Sequence, residues 1–204
     1  MTRNLSSIAR GAAAAAVLAL ALPAQVQAAD AKKLPEVKPL QTLIGNVRQS
    51  RDLKALTYFA AEEQGKYLTG EHWAKATPAQ QQEFTKGFQQ LFAKIAFPKV
   101  RKNFEHLGAV LYDDPKTDGG KTTVTSLLQL DHPVKKQELK LRYWVAQEKG
   151  QWKVVDVSVL GDSMLQGIRD DQVIPLLKEG GWEKLLKAMR DKLAEKELAE
   201  VTLK

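Results

Sequence analysis

Three histidines, a scatter of serines, one aspartate pair and one glycine pair are the raw material from which chemistry would have to be assembled. His72, His106 and His132 are widely separated and show no HExxH or comparable ligand interval, so they form no recognisable metal set. The chain has no cysteine, which excludes a thiol nucleophile, a thiolate metal site and a disulfide together. No serine stands in a GxSxG elbow. Asp113 and Asp114 are chain neighbours in a polar run with Pro115, Gly119 and Gly120, which is turn composition rather than a facing acid and base. That glycine pair lies between two strand-like stretches, not between a strand and a helix where it would cradle a phosphate. The spacing therefore argues against an enzyme and implies no cofactor and no metal. Apolar residues carry the remaining signal.

Those residues must be positioned by elements, and the first stretch is not one of them. Arg3 and Arg10 precede an alanine and leucine run from Gly11 to Leu22, and Val26-Gln27-Ala28 offers the small residues of a cleavage site, so residues 1–28 are expected to be a signal peptide. The run is well short of the ~20 residues that span a bilayer. Residues 29–204 are then expected to be one exported, soluble domain, large enough to bury ~70% of its unfolded surface without disulfide staples. The formal charge of +7 becomes +5 once Arg3 and Arg10 are subtracted (7 − 2), a diffuse excess that does not point to nucleic acid.

The first half of the domain reads as helix. Pro39 opens a segment in which Leu40, Leu43, Ile44 and Val47 recur at i, i+3, i+4 and i+7. A second helix is expected over Leu53 to Leu68, with Leu56, Phe59 and Ala60 inward and Gly70 as terminator. Thr77-Pro78-Ala79-Gln80 combines a capping box with proline at the first helical position, and predicts a helix to about Phe97, stopped by Pro98, with Phe84, Phe88, Leu91, Phe92 and Ile95 inward. The period then changes to two. Strands are expected over Phe104 to Tyr112, Lys121 to Leu130, Glu138 to Ala146 and from Gln151, joined by short turns and therefore antiparallel. In the last of these, Val155, Val157 and Val159 are read onto one face and Val154, Asp156 and Ser158 onto the other. Gly161 stops it, and Ser163 with Gln166 has the spacing of a second capping box. A helix from Met164 is interrupted by Pro175, Gly180-Gly181 break it, and Trp182, Leu185, Leu186, Met189 and Leu193 mark a last amphipathic helix that ends in a charged tail. The fold class is α+β, a twisted antiparallel sheet of about four to five strands wrapped by N- and C-terminal helices.

Two blocks resemble a known family. Tyr67, Gly70, Trp73, Ala76-Thr77-Pro78, Gln81, Phe84, Phe88 and Leu91 are similar to the first conserved block of the MlaC, or toluene-tolerance, family of periplasmic phospholipid-binding proteins. Tyr143, Gly150, Trp152-Lys153-Val154, Asp156-Val157, Gly161, Ser163 and Arg169 resemble the second. The chain departs from the pattern at Gln166-Gly167-Ile168 and at Gln172-Val173, where the family often has an asparagine with an aromatic and a Gln-Phe pair.

The resemblance implies a monomeric carrier in the periplasm that moves phospholipid between an outer-membrane lipoprotein complex and an inner-membrane ABC transporter complex, with acyl chains held in an apolar slot between sheet and helices. The strand faces then nominate as lining Val124, Leu128, Leu130, Leu139, Leu141, Tyr143, Val145, Val155, Val157 and Val159, and the helices Trp73, Phe84 and Phe88. Tyr143 and Trp73 also carry polar tips suited to a headgroup at the mouth. Periodicity by itself does not separate such a slot from ordinary core packing, and it leaves open a chaperone or interaction module, or a carrier of another apolar lipid such as a hopanoid.

Overall fold

The structure is a computed structural model that describes residues 31–195. The expected leader over residues 1–28 and the charged tail at the C-terminus lie outside the described residues.

Helix α1, Lys38–Arg48, has proline in its first turn and buries Leu40, Leu43, Ile44 and Val47, the stripe its spacing predicts. The single helix expected next is two: α2, Asp52–Leu56, and α3, Ala61–Thr69. Between them the chain straightens against a strand. Val154 N donates to Tyr58 O and Ala60 N donates to Val154 O, both at 2.8 Å, which satisfies a strand edge that would otherwise be bare. Helix α3 ends at Gly70 (φ 56°), and a 3-10 turn over Gly70–Lys75 carries His72 and Trp73.

Helix α4, Pro78–Asn103, begins with the predicted capping box, Thr77 Oγ1 accepting from Gln80 N and Gln80 Oε1 from Thr77 N. It does not stop at Phe97. Pro98 removes one amide hydrogen bond, yet it sits on the exposed side of the helix, while Phe97 and Phe104 bury beneath it. Tertiary burial outweighs the proline.

The strands are β1, Leu107–Tyr112; β2, Lys116–Asp118; β3, Lys121–Asp131; β4, Lys136–Glu148; β5, Gln151–Val159; and β6, Asp162–Ser163. They pair antiparallel in the order β1-β3-β4-β5-β6, with β2 added beside β1 on β3. The four long strands form the expected meander. The two short ones arise inside segments read as turns: Gly119-Gly120 (φ 54° and 78°) closes a hairpin of β2 on β3.

One face of the sheet packs Val124, Leu128, Leu141, Tyr143, Val145 and Val154 into a first core with α1, α2 and the C-terminal half of α4. Val154 on that face corrects the simple alternation. The register of β4 with β5 shifts at Trp144/Val145, so that Tyr143 opposes Val157 but Val145 opposes Val154. Val155 is the extra residue of a β-bulge, and it turns to the opposite side, into a second core. Val155 therefore does not share a face with Val157 and Val159.

Helix α5, Met164–Ile168, follows Ser163, whose hydroxyl accepts from Gln166 N; this half of the expected box is present. A π-turn over Arg169–Val173 leads into α6, Ile174–Ala194, which carries Pro175 in its first turn and loses helical geometry at Gly180 and Gly181. The π-turn thus precedes Pro175 instead of falling on it, while the break at Gly180-Gly181 stands where it was expected. Helix α6 lies along α4 and closes the second core around Phe84, Phe88, Val155, Leu165, Leu177 and Leu185.

Candidate functional site

Burial varies across the inner face of the sheet. Val124, Tyr143 and Val145 are fully enclosed, whereas Leu130 and Leu139, farther along β3 and β4, and Val157 and Val159 on the neighbouring β5 are only half-buried. Phe92, Ala93 and Val100 of α4 are half-buried against that same core. Half-buried apolar side chains of α4 and of the sheet thus border the same core, a partly open apolar seam beside the enclosed Val124 and Tyr143.

The residues nominated from sequence do not line one space. Val124, Leu128, Leu130, Leu139, Leu141, Tyr143, Val145, Val157 and Val159 share the first core. Trp73, Phe84, Phe88 and Val155 belong to the second. Phe92 touches both, meeting the rings of Phe59 and Phe97 edge-on and that of Phe88 at a tilt, at centroid distances of 5.4–6.0 Å. Sequence reasoning placed Phe92 in the α4 stripe but not in the slot.

One of the nominated side chains, Tyr143, does not have its polar tip at a mouth. Tyr143 is enclosed, its hydroxyl accepting from Ser126 Oγ at 3.2 Å, and burial pushes its phenol up to about 12. Tyr112 is raised further for the same reason, with the neighbouring Tyr143 adding to it. Trp73 lies with its ring on the backbone of Gly65, so close that a Cβ there would meet ring carbons at 2.5 and 2.6 Å. Its role is to join the 3-10 turn to α3.

The bulge creates the polar centre of the molecule. The carbonyl of Val155 accepts from Gln64 Nε2 at 2.8 Å across to α3. Asp156, buried in the same turn of chain, accepts from Ser163 Oγ at 2.6 Å and from Leu165 N at 3.0 Å, anchoring the start of α5. A small cavity of about 10 Å³ lies here, lined by Phe59, Gln64, Phe92, Val155, Asp156, Val157, Met164 and Leu165. Gln64 and Met164 were not foreseen, because a glutamine on a short helix reads as surface and a bulge is not visible in alternation.

Arg169 does not pair with Asp156. Its guanidinium sits over the Tyr67 ring at 5.7 Å and 3.7 Å from Asp170. Tyr67 in turn meets Trp144 edge-on at 5.6 Å. His106 and His132, distant in sequence, come together with ring centroids 4.8 Å apart. Among the described residues no three His, Cys, Asp or Glu side chains gather as a metal site, and no helix is long and apolar enough to cross a membrane.

A family model described as MlaC protein matches residues 38–191. The chain belongs to the MlaC family. The contacts among Tyr67, Trp144 and Arg169 show how the two sequence blocks similar to that family meet in space. Among solved structures, the phospholipid-binding protein from Ralstonia solanacearum, determined in complex with a phospholipid, matches with a TM-score of 0.58 and 19% identity over 84% of this chain and 95% of that one. At that identity the likeness is one of fold, an α+β MlaC-like architecture. No curated protein matches the chain.

Proposed function

We propose that this MlaC protein is a periplasmic phospholipid carrier, exported by a signal peptide over residues 1–28 and working as a monomer. It binds and transports and does not catalyse, handing lipid between an outer-membrane lipoprotein complex and an inner-membrane ABC transporter complex. The observation that carries this reading is the half-open apolar seam between α4 and the inner face of the sheet, at Leu130, Leu139, Val157 and Val159, in a fold shared with a protein determined with phospholipid.

The physical logic is simple. Each methylene removed from water contributes ~0.8 kcal/mol, so a carrier needs a dry apolar wall more than it needs polar contacts. The lining of the seam supplies such a wall. The cavity that adjoins it, about 10 Å³, is far smaller than the ~300–1,000 Å³ of ordinary ligand pockets, so loading requires α4 to separate from the sheet. Helix α4 meets the inner face there through half-buried apolar side chains, which an acyl chain replaces like for like.

Native mass spectrometry of the purified protein, followed by lipid extraction, tests the reading. A mass excess matching bound phospholipid is expected. A folded protein that neither carries phospholipid nor acquires it from vesicles would overturn it.

A further inference from the structure

The cavity beneath the β5 bulge is apolar on most sides and polar on one. Phe59, Phe92, Val155, Val157, Met164 and Leu165 supply hydrocarbon, while Gln64 and Asp156 supply oxygen. Gln64 is almost wholly enclosed, its Nε2 donates to the Val155 carbonyl, and its Oε1 is buried without a hydrogen-bond partner. A buried acceptor in that position is costly unless a donor reaches it. The two oxygens of Asp156 already accept from Ser163 Oγ and Leu165 N, each with a lone pair left over. The polar side of the cavity thus has an unpaired acceptor to fill. Its volume of about 10 Å³ suits one oxygen, about the size of a single water, and excludes an ammonium headgroup with its substituents.

Position decides where such a donor comes from. Phe92 and Val157 line both this cavity and the apolar seam, so the cavity adjoins the path assigned above to an acyl chain, and the inference rests on that assignment. We propose that Gln64 Oε1 is a subsite for one hydroxyl donor carried on the lipid tail, so that the protein prefers tails bearing a mid-chain hydroxyl to plain ones. A plain tail leaves Gln64 Oε1 to a water molecule or without a donor. A hydroxylated tail brings its own donor into a wall that would otherwise reject it.

The test compares two phosphatidylglycerols of equal chain length, with and without a mid-chain hydroxyl, competing for the full-length protein, with bound lipid read by native mass spectrometry. The wild type is expected to retain the hydroxylated lipid about five- to tenfold over the plain one, the worth of one hydrogen bond to an otherwise unpaired acceptor. Gln64→Met, similar in volume and without the acceptor, is expected to lose the preference between the two lipids; Gln64→Leu serves if that variant does not fold. Equal retention by the wild type overturns the proposal while leaving the carrier reading intact, and identifies water as the only donor there. Failure to load either lipid overturns both.

Discussion

Asp156 shows at the scale of one residue why type and position have to be read together. Alternation along β5 assigns it to a solvent face, yet it is buried and holds Ser163 and the first amide of α5. Its partners follow Gly161, beyond the strand, where no periodicity in β5 points. Asp156→Ala strands both donors and is expected to cost about 2 kcal/mol, read as a lowered midpoint in urea at pH 7. Tyr143 makes a pH-dependent prediction. Its pKa is raised by burial to about 12, against about 10 in an unfolded chain. The unfolded state therefore loses its proton first, so the stability contributed by the neutral phenol is complete below pH ~10 and falls as pH rises toward ~12. Urea unfolding across that range is expected to show this decline, made shallower in Tyr143→Phe and not abolished, because Tyr112 is raised in the same direction.

At the scale of elements, the sequence made plain the features encoded within one turn or one period. The α1 stripe, the Thr77 capping box and the four long strands all depend on local spacing and are all present, the first strand starting at Leu107 rather than at Phe104, which caps α4 instead. Thr77→Ala, at an exposed cap, is expected to lower stability by about 1 kcal/mol with no loss of lipid loading, measured by thermal unfolding and native mass spectrometry. What stayed hidden depends on partners distant in the chain. Phe59 breaks the expected second helix because Val154 offers it a strand edge, and α4 continues past Pro98 because Phe97 and Phe104 have a core to enter. The bulge at Val155 had only one trace, the doubled Val154-Val155 in an otherwise alternating strand, and that single extra residue reversed the face assigned to Val155. Gly65 is a similar case. Gly65→Ala is expected to destabilise by ~1–3 kcal/mol through its clash with the Trp73 ring, and Trp73→Leu in the same chain to restore part of that loss.

For the whole molecule, two cores share one sheet and meet at Phe92, and the seam assigned to lipid is the partly open side of the first. The candidate site was legible as a set of apolar strand positions, but its division between two cores was not, since hydropathy does not record which helix covers which face. Val157→Asp places a charge on the half-buried wall, where water still reaches it. Folding is expected to survive with a loss of ~1–3 kcal/mol while phospholipid loading is abolished, a separation that a purely structural valine would not show.

The path of the acyl chain is the central claim, and photo-cross-linking with a phospholipid that carries a diazirine in its tail reads it directly. Peptide mapping is predicted to place the adducts on Phe92, Leu139, Val157 and Val159. Adducts confined to the groove between α4 and α6, at Gly87, Leu186 and Met189, would contradict it.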